Sequence, residues 1–318
     1  MRILSRRGVA EVASVFVGDL GGGRTVEFVE STQPPLTRDE KWVLIVSVLH
    51  GCPVGCLMCD AGVAFAGPLT AAEIYAQIDF LIRRRYANGE VPVPNFKIQF
   101  ARMGEPAMNP AVLEVLRGIH GRYRLRSFVP SLSTVAPRGC ERFFDELLDV
   151  RSALPDGERF QLQFSVHSTD PVQRDRLVPI PKWGFDEMAS YGERFLDGRG
   201  KRVALNFALA RGVPLEASTL LRHFDPSSFL VKVTPLNPTY RARESGLVSY
   251  IDPRRRSERD PVVEELEDAG YRVIVSVGDL AENRIGSNCG QYVRRHLERV
   301  LAGAPRHPSG YVDWEPDG

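Results

Sequence analysis

The fold of this chain is best predicted from the stretch His50-Gly51-Cys52-Pro53-Val54-Gly55-Cys56-Leu57-Met58-Cys59. Its three cysteines have the spacing C-x3-C-x2-C, so three thiols lie close together along the chain. Iron–sulfur clusters of the four-iron type are normally held by four thiolates. Three clustered thiolates therefore predict a cluster whose last iron takes either a remote protein ligand or a cofactor.

Two other uses of these cysteines fit the pattern less well. A structural zinc site could combine them with His50 or a distant cysteine, but such sites usually contain two ligand pairs and no second pair is present. A disulfide framework is disfavoured because the chain has only five cysteines, an odd number. Glu11 interrupts the apolar run that a secretory segment would need. We expect a cytoplasmic protein in which the thiolates stay reduced.

The composition is that of a globular protein without a global charge signal. The 318 residues are 43% hydrophobic and 25% charged, and 41 basic against 40 acidic residues give a net charge of +1. Any site for a polyanion must therefore be local. No apolar run approaches the ~20 residues that a membrane-spanning helix needs, so we expect no membrane partner.

Short apolar runs alternate with amphipathic stretches, which predicts an α/β fold. The predicted strands are rich in Val, Leu and Phe, as expected for parallel strands buried on both faces; they are Val43–Leu49, Phe96–Ala101, Phe128–Ser133, Leu162–Val166, Val203–Leu209 and Leu230–Thr234. The predicted helices between them are Ala71–Arg85, Ala111–His120, Phe143–Val150, Asp186–Phe195 and Leu215–Phe224. Six β/α units predict a partial (β/α)6 TIM-like barrel.

The barrel is predicted to be flanked by two smaller regions. Residues 9–29 predict two short strands around a glycine-rich turn, so residues 1–40 are expected to form a small β hairpin region. The barrel is expected over residues 41–240, and residues 241–318 are expected to form a C-terminal extension that carries a loop with Cys289.

Polar residues follow the predicted strands at the points where the strands end. The cysteine run follows the first strand, and the second, third, fourth and sixth strands are followed in turn by Arg102-Met103-Gly104-Glu105-Pro106, Ser133-Thr134, Ser165-Val166-His167 and Pro235-Leu236-Asn237-Pro238. Each group alone could simply begin a turn. Because α/β barrels place their chemistry at the carboxyl ends of the strands, a shared ligand is the better interpretation.

In order and number, these motifs resemble the radical S-adenosylmethionine (SAM) methylases that modify C2 or C8 of adenosine in RNA. The similarity extends from Ala13 to Arg299. Besides the cysteine run it includes Met103-Gly104-Glu105-Pro106, Leu132-Ser133-Thr134, Phe164-Ser165-Val166-His167, Arg176-Leu177-Val178-Pro179-Ile180, Thr234-Pro235-Leu236-Asn237-Pro238 and Cys289-Gly290-Gln291.

The resemblance implies the cofactors and the residues that hold them. A 4Fe–4S cluster would be held by Cys52, Cys56 and Cys59. SAM would chelate the remaining iron and be cleaved reductively to a 5′-deoxyadenosyl radical, with electrons from an external one-electron donor of the flavodoxin or ferredoxin type. The residues implied to bind SAM are Glu105, Ser133, Ser165, His167 and Asn237.

Cys289 is the implied catalytic thiol. It lies in the polar, glycine-containing segment Gly286-Ser287-Asn288-Cys289-Gly290, which is unlike the surroundings of an inert buried cysteine. In the family the matching cysteine accepts a methyl group from one SAM, and the methyl carbon is then joined to the substrate ring, which is a form of nucleophilic catalysis. A bare thiol could instead donate a hydrogen atom to a substrate radical.

Three features depart from the family. Members carry a second cysteine in the first strand that releases the product by disulfide formation, and here that position is Ile45, which cannot exchange thiols. Cys140 is the one remaining thiol that could replace it. Met58 stands where an aromatic residue is usual, which we expect to be a tolerated packing change. The helical region that precedes the β portion in the RNA methylases is not matched in this sequence.

These departures leave three interpretations of the function. The first is a methyltransferase-like radical SAM enzyme that uses Cys289 on a nucleoside-like small molecule or a peptide. The second is an adenine C2 or C8 methyltransferase of ribosomal or transfer RNA with Cys140 as the resolving thiol. The third is a catalytically altered module that binds a cluster or RNA. Local arginine clusters that could contact phosphates are Arg83–Arg85, Arg122 with Arg124 and Arg126, and Arg254–Arg256 with Arg259.

Overall fold

The structure is a computed structural model that describes residues 1–9, 11–32, 35–62, 65–252, 260–277 and 285, and the backbone of 312–314. The chain divides into two compact units. The first contains Met1–Pro53, Asp60–Ser131 and Gly278–Gly318, and the second contains Val54–Cys59 and Leu132–Val277. The cysteine run therefore contributes Cys52 to the first unit and Cys56 and Cys59 to the second.

The first unit combines an antiparallel region with the start of a parallel sheet. Its strands are β1 (Arg2–Val9), β2 (Ala13–Asp19), β3 (Thr25–Ser31), β4 (Lys41–Val46), β5 (Glu90–Val91), β6 (Asn95–Phe100), β7 (Arg124–Leu125) and β13 (Val312–Trp314). Strands β1 to β4 pair antiparallel in chain order, whereas β4 pairs with β6 in parallel. The two strands predicted from residues 9–29 are observed as β2 and β3, and β1, which was not predicted, precedes them.

Two helices of this unit follow β4 and β6. Helix α1 (Ala71–Arg85) begins with a capping box in which Thr70 and Glu73 exchange hydrogen bonds, and it buries Ile74 and Ile78. Helix α2 (Ala111–Arg122) buries Val112 and Leu116 in the same periodic way. The predicted bounds of α1 are those observed, and α2 extends two residues beyond its predicted end.

The second unit is a parallel α/β arrangement. Strand β8 (Val129–Thr134) begins in the first unit and ends in this one, and it is followed by β9 (Gln161–Ser165), β10 (Val203–Leu209), β11 (Phe229–Pro235) and β12 (Arg272–Val275). Strands β9 to β12 pair in parallel with their neighbours. The helices are α3 (Glu141–Ala153), α4 (Pro171–Leu177), α5 (Phe185–Leu196), α6 (Ala217–Leu221), α7 (Tyr240–Glu244) and α8 (Pro261–Asp268). The predicted α/β class is confirmed.

The strands of the second unit are not buried equally on both faces, which corrects the prediction from their apolar character. Along β9, Leu162 and Phe164 are fully buried, whereas Gln161, Gln163 and Ser165 on the opposite face are half-buried. Successive side chains of a strand point to opposite faces, so the sheet has one apolar and one polar face.

Among the described residues, no helix has both the length and the apolar character needed to cross a membrane.

Candidate active site

The loop that leaves β4 is fixed in the first unit by two buried amides. The Gln77 side chain accepts a hydrogen bond from the Ser47 backbone N–H (2.9 Å) and donates one to the Ser47 carbonyl (3.0 Å). The Asn109 side chain donates to the carbonyls of Val48 (2.7 Å) and Leu69 (2.8 Å). Both side-chain amides satisfy backbone hydrogen-bonding groups that a neighbouring strand would otherwise satisfy. The chain therefore reaches Cys52 along a defined path.

The Met103-Gly104-Glu105-Pro106 segment packs directly on this loop. The backbone N–H groups of Val48 and Leu49 both donate to the Met103 carbonyl, at 2.8 and 3.0 Å. Gly104 has φ +104°, and a Cβ there would lie 2.5 Å from the Leu49 Cβ. Only glycine permits both this backbone conformation and this approach. Glu105 is 4% exposed and accepts a hydrogen bond from the Ala107 N–H (3.0 Å), so one carboxylate oxygen helps to form the following turn.

His50 is buried beside Arg24 and Glu73. Its Nε2 lies 3.4 Å from Nη1 of Arg24 and 3.9 Å from Oε1 of Glu73. Burial is the main cause of the lowered pKa of His50, and the Glu73 carboxylate opposes it. The imidazole is thus part of the packing beside the cysteine run.

The second unit holds the other end of the cysteine run. The Leu57 N–H donates to the carbonyl of Leu177, the last residue of α4 (3.0 Å). Thr239, which caps α7, donates its hydroxyl to the Met58 carbonyl (3.0 Å). Gly55 has φ +69°, which the turn between Cys52 and Cys56 needs. The turn is therefore anchored to two helices, and the predicted packing role of Met58 agrees with its 7% exposure.

The cysteines fit a cluster by their chemistry. All three are half-buried, and each follows a glycine turn or an anchored backbone segment. Thiolates are the ligands that iron–sulfur clusters use, and three of them leave one iron for another ligand. Within the described part of the chain, no three His, Cys, Asp or Glu side chains already converge as metal ligands do. The assignment of Cys52, Cys56 and Cys59 as cluster ligands stays a prediction.

The second unit brings the other predicted SAM residues to the ends of successive strands. Ser133 lies at the end of β8 and its hydroxyl accepts a hydrogen bond from the Gln163 side chain (3.1 Å). Ser165 ends β9 and is half-buried. Asn237 follows β11, and its carbonyl accepts from the Thr239 N–H (2.8 Å). Because parallel strands end at one edge of a sheet, these side chains share that edge. Their roles toward SAM remain predictions.

His167 is held as a neutral hydrogen-bond donor. Its Nδ1 accepts from the Ala208 N–H of β10 (3.1 Å), so the proton of the neutral ring lies on Nε2. Burial, and secondarily the charge of Arg174, lower the pKa of His167 to about 4. The backbone is in the left-handed region, with φ 67°, which a non-glycine residue rarely adopts. Such local strain is common at functional sites.

Ile45 lies in an apolar cluster of the first unit. The cluster consists of Ala13, Val15, Val17, Val29 and Ile285, all fully buried, and Ile45 packs against it from β4. Ile285 is four residues before Cys289 in the sequence. The residue in the place of the second family cysteine is thus a packing residue of the cluster that contains Ile285.

Several predicted residues lie elsewhere. Cys140 is at the N-cap position of α3, after β8, and is half-buried. Cys289, Arg254–Arg256 and Arg259 lie outside the described residues. The sequence analysis did not identify Gln77, Asn109 and Thr239, because each contacts residues that are distant in the chain. It also missed Asn206, although a lone polar residue in the apolar run Val203–Leu209 was a usable signal.

No protein-family model matches the chain. Among curated proteins it is 29% identical over 279 residues to the "Probable dual-specificity RNA methyltransferase RlmN" of Frankia casuarinae, covering 84% of this chain and 62% of that protein. It is 30% identical over 309 residues to the "Probable RNA methyltransferase" of Stutzerimonas stutzeri, covering 94% of this chain and 79% of that protein. The chain thus spans about three fifths of the Frankia protein's length and more of the Stutzerimonas protein's.

A solved structure supports the fold. The crystal structure of a radical SAM methyltransferase from Sphaerobacter thermophilus matches 91% of this chain and 81% of that chain with a TM-score of 0.66, at 23% sequence identity. The predicted fold class, a partial TIM-like barrel, is confirmed by this likeness. The 30% identity to the Stutzerimonas protein, over most of both chains, shows that this chain belongs to the radical SAM RNA methyltransferase family, whose enzymes use a 4Fe–4S cluster and SAM.

Proposed function

We propose that this chain methylates an adenine base of RNA and that Cys289 carries the methyl group during transfer. The names of the curated relatives state RNA methylation, which supports RNA as the substrate class. The observation that carries the proposal is the placement of Ser133, Ser165 and Asn237 at one edge of the parallel sheet. The adenine target comes from the resemblance in the sequence motifs.

One set of residues would hold the cluster and another would bind SAM. Cys52, Cys56 and Cys59 would hold the cluster, and the five predicted SAM residues would orient the sulfonium. Once bound, the cluster and SAM supply an electron and a 5′-deoxyadenosyl radical that removes hydrogen from a methyl group. His167 contributes a hydrogen-bond donor at Nε2 and cannot act as a cationic acid near neutral pH, because its pKa is about 4.

The thiol of Cys289 would act in two steps. Its thiolate sulfur first attacks the methyl carbon of one SAM, which forms a carbon–sulfur bond and releases S-adenosylhomocysteine. After a hydrogen atom is removed from that methyl group, its carbon would bond to the ring, and the ring would give up one proton and return one electron to the oxidised cluster, so that enzyme and substrate stay joined through sulfur. Release needs a second thiolate to attack this sulfur, which forms a disulfide and breaks the bond between sulfur and the methylene carbon; that carbon keeps the electron pair and takes a proton, which completes the methyl group. Ile45 cannot supply that thiolate, so we assign the second thiol to Cys140.

A second candidate is methyl transfer to a nucleoside-like small molecule or a peptide. The packing of Ile45 in an apolar cluster favours it, because the release step of the RNA enzymes has no thiol at that position. Both candidates use the same cysteines and the same SAM residues. They differ only in substrate and release.

The proposal is tested by mass spectrometry of anaerobically reconstituted protein. The enzyme is incubated with SAM, a one-electron reductant and, in separate reactions, a ribosomal RNA fragment, adenosine or a peptide mixture. We expect a methyl group on the Cys289 peptide, methyladenosine in the RNA and 5′-deoxyadenosine in solution. Cys289→Ala should abolish the first two products, and Cys140→Ala should leave the thiomethyl but stall release.

Other outcomes would overturn parts of the proposal. A bare Cys289 with 5′-deoxyadenosine formed would exclude the thiomethyl and leave the hydrogen-donor role. Methylation of adenosine or a peptide without methylation of RNA would establish the second candidate. Unchanged turnover of Cys140→Ala would remove Cys140 from release.

A further inference from the structure

Asn206 is a buried polar residue in the middle of an apolar strand. Its neighbours in β10, Leu205 and Phe207, are fully buried on the opposite face. Asn206 itself is 8% exposed, and its side-chain Oδ1 has no hydrogen-bond partner within the described part of the chain. Buried amide oxygens in folded proteins nearly always accept a hydrogen bond. An oxygen without one lowers stability unless a ligand supplies the donor.

The register of the sheet puts Asn206 in a polar row across three strands. Asn206 is directly opposite Ser165 of β9 and Lys232 of β11. Residues opposite each other in adjacent strands present their side chains on the same face. The row therefore continues the polar face that carries Gln163 and Ser133. One end of this row is Ser165, a predicted SAM residue.

The backbone around Asn206 is fixed to the segment that carries His167. The Asn206 carbonyl accepts hydrogen bonds from the N–H groups of Val166 (2.9 Å) and His167 (3.2 Å). Two residues further along β10, the Ala208 N–H donates to Nδ1 of His167. The backbone that carries the Asn206 side chain is thereby fixed relative to the segment that carries Ser165 and His167. A preorganised polar group of this kind loses little entropy on binding.

We propose that the Asn206 amide binds the 6-amino edge of an adenine base. The oxygen needs an N–H donor, and the amide as a whole offers an acceptor beside a donor. Adenine offers the complementary pair, an exocyclic amino group beside a ring nitrogen, and asparagine is a common partner of adenine for this reason. The adenine is that of SAM or that of the target nucleotide. The inference rests on the use of SAM and an adenine target, and not on methyl transfer at Cys289.

The test compares Asn206→Leu with wild type in the cluster-reconstituted enzyme. Leucine has a similar volume and makes no hydrogen bond. We expect SAM to bind Asn206→Leu about tenfold more weakly by isothermal titration calorimetry, the loss of one well-placed amide contact. Wild type should also discriminate about tenfold against S-inosylmethionine, which has a carbonyl in place of the 6-amino group, and Asn206→Leu should not.

A stability control separates a binding residue from a structural one. Asn109 is also a buried asparagine, but its amide donates to two backbone carbonyls. Asn109→Leu should therefore lower the melting temperature, whereas Asn206→Leu should leave it unchanged or raise it. If Asn206→Leu does not fold, Asn206→Ser takes its place in both measurements.

The two sources of adenine give different results. If Asn206→Leu binds SAM as wild type does but binds RNA about tenfold more weakly, Asn206 contacts the target base. This loss of RNA affinity should disappear when inosine replaces the target adenosine. The proposal is overturned if neither affinity changes by more than twofold. It is also overturned if adenine and inosine ligands are weakened equally, since the contact would then lie on another part of the ligand. Failure of Cys289 methylation would affect none of these binding results.

Discussion

His167 is the residue whose environment makes the clearest prediction about pH. Its folded pKa of about 4 lies below the ordinary value of 6.5, so the unfolded state binds more protons between these two values. Stability should therefore rise with pH from about 4 to 6.5, by roughly 3 kcal/mol from this residue alone. His167→Asn keeps an acceptor for the Ala208 N–H and tolerates the positive φ, but does not titrate. Urea unfolding of both proteins from pH 4.5 to 7 should show a flatter profile for the variant, and equal slopes would contradict the assignment.

Ile45 makes a prediction about catalysis at the same scale. Ile45→Cys places a thiol against the cluster that contains Ile285, in the sequence position where the family has its second cysteine. We expect the introduced thiol to form a disulfide with Cys289 and the variant to release product faster than wild type, at a stability cost of about 1 kcal/mol. Peptide mapping without reduction checks the disulfide. Ile45→Ser is the control, since it has the same loss of packing without a thiol, and a similar gain in turnover for that variant would exclude thiol exchange.

At the scale of elements, the contact between the loops after β4 and β6 depends on Gly104. Gly104→Ala should destabilise the protein by about 2–4 kcal/mol, because the new Cβ meets the Leu49 backbone and side chain and the positive φ becomes strained. Gly121→Ala in α2 is the matched control, because a Cβ there meets nothing within 4 Å. It should stabilise by about 0.5–1 kcal/mol through helix propensity. Denaturant unfolding measures both; a loss below about 1 kcal/mol for Gly104→Ala would show that the loops can separate.

The elements also show what could be predicted from sequence. The bounds of α1 followed from its periodic apolar residues, and the structure shows that a second local signal, the Thr70 cap, sets where the helix begins. The sequence located the strands but not their polar face. The strands were judged by their content of Val, Leu and Phe, and this measure does not register that Gln161, Gln163 and Ser165 alternate with the apolar residues of β9. Strand β1 was missed because Arg2-Ile3-Leu4-Ser5-Arg6-Arg7 has little apolar character, and its pairing with β2 supplies the stability instead.

At the scale of the whole molecule, arginines of the two described clusters are paired with carboxylates. Arg84 and Arg85 bind the buried carboxylate of Glu30, at 2.6 and 2.9 Å. Arg122 pairs with Asp79, and Arg124 with Glu90. The sequence showed the clusters but not these partners, because the carboxylates are distant in the chain. Because the net charge is only +1 and these arginines are paired, they contribute little positive electrostatic potential that could attract RNA.

Arg254, Arg255 and Arg256 form an arginine cluster in the sequence that lies outside the described residues, and we predict that RNA binding depends on it. Replacing all three by Ala should weaken RNA binding and lower the slope of log K against log salt by about 2, since each phosphate contact contributes roughly 0.7 for a single strand. Arg122→Ala with Arg124→Ala is the control, and it should change the slope little because both side chains are already paired with carboxylates. Fluorescence anisotropy with a labelled RNA between ~50 and ~200 mM salt measures both slopes. A slope near zero for wild type would mean that phosphates are not contacted, which would favour a small molecule or a peptide over RNA as the substrate of Cys289.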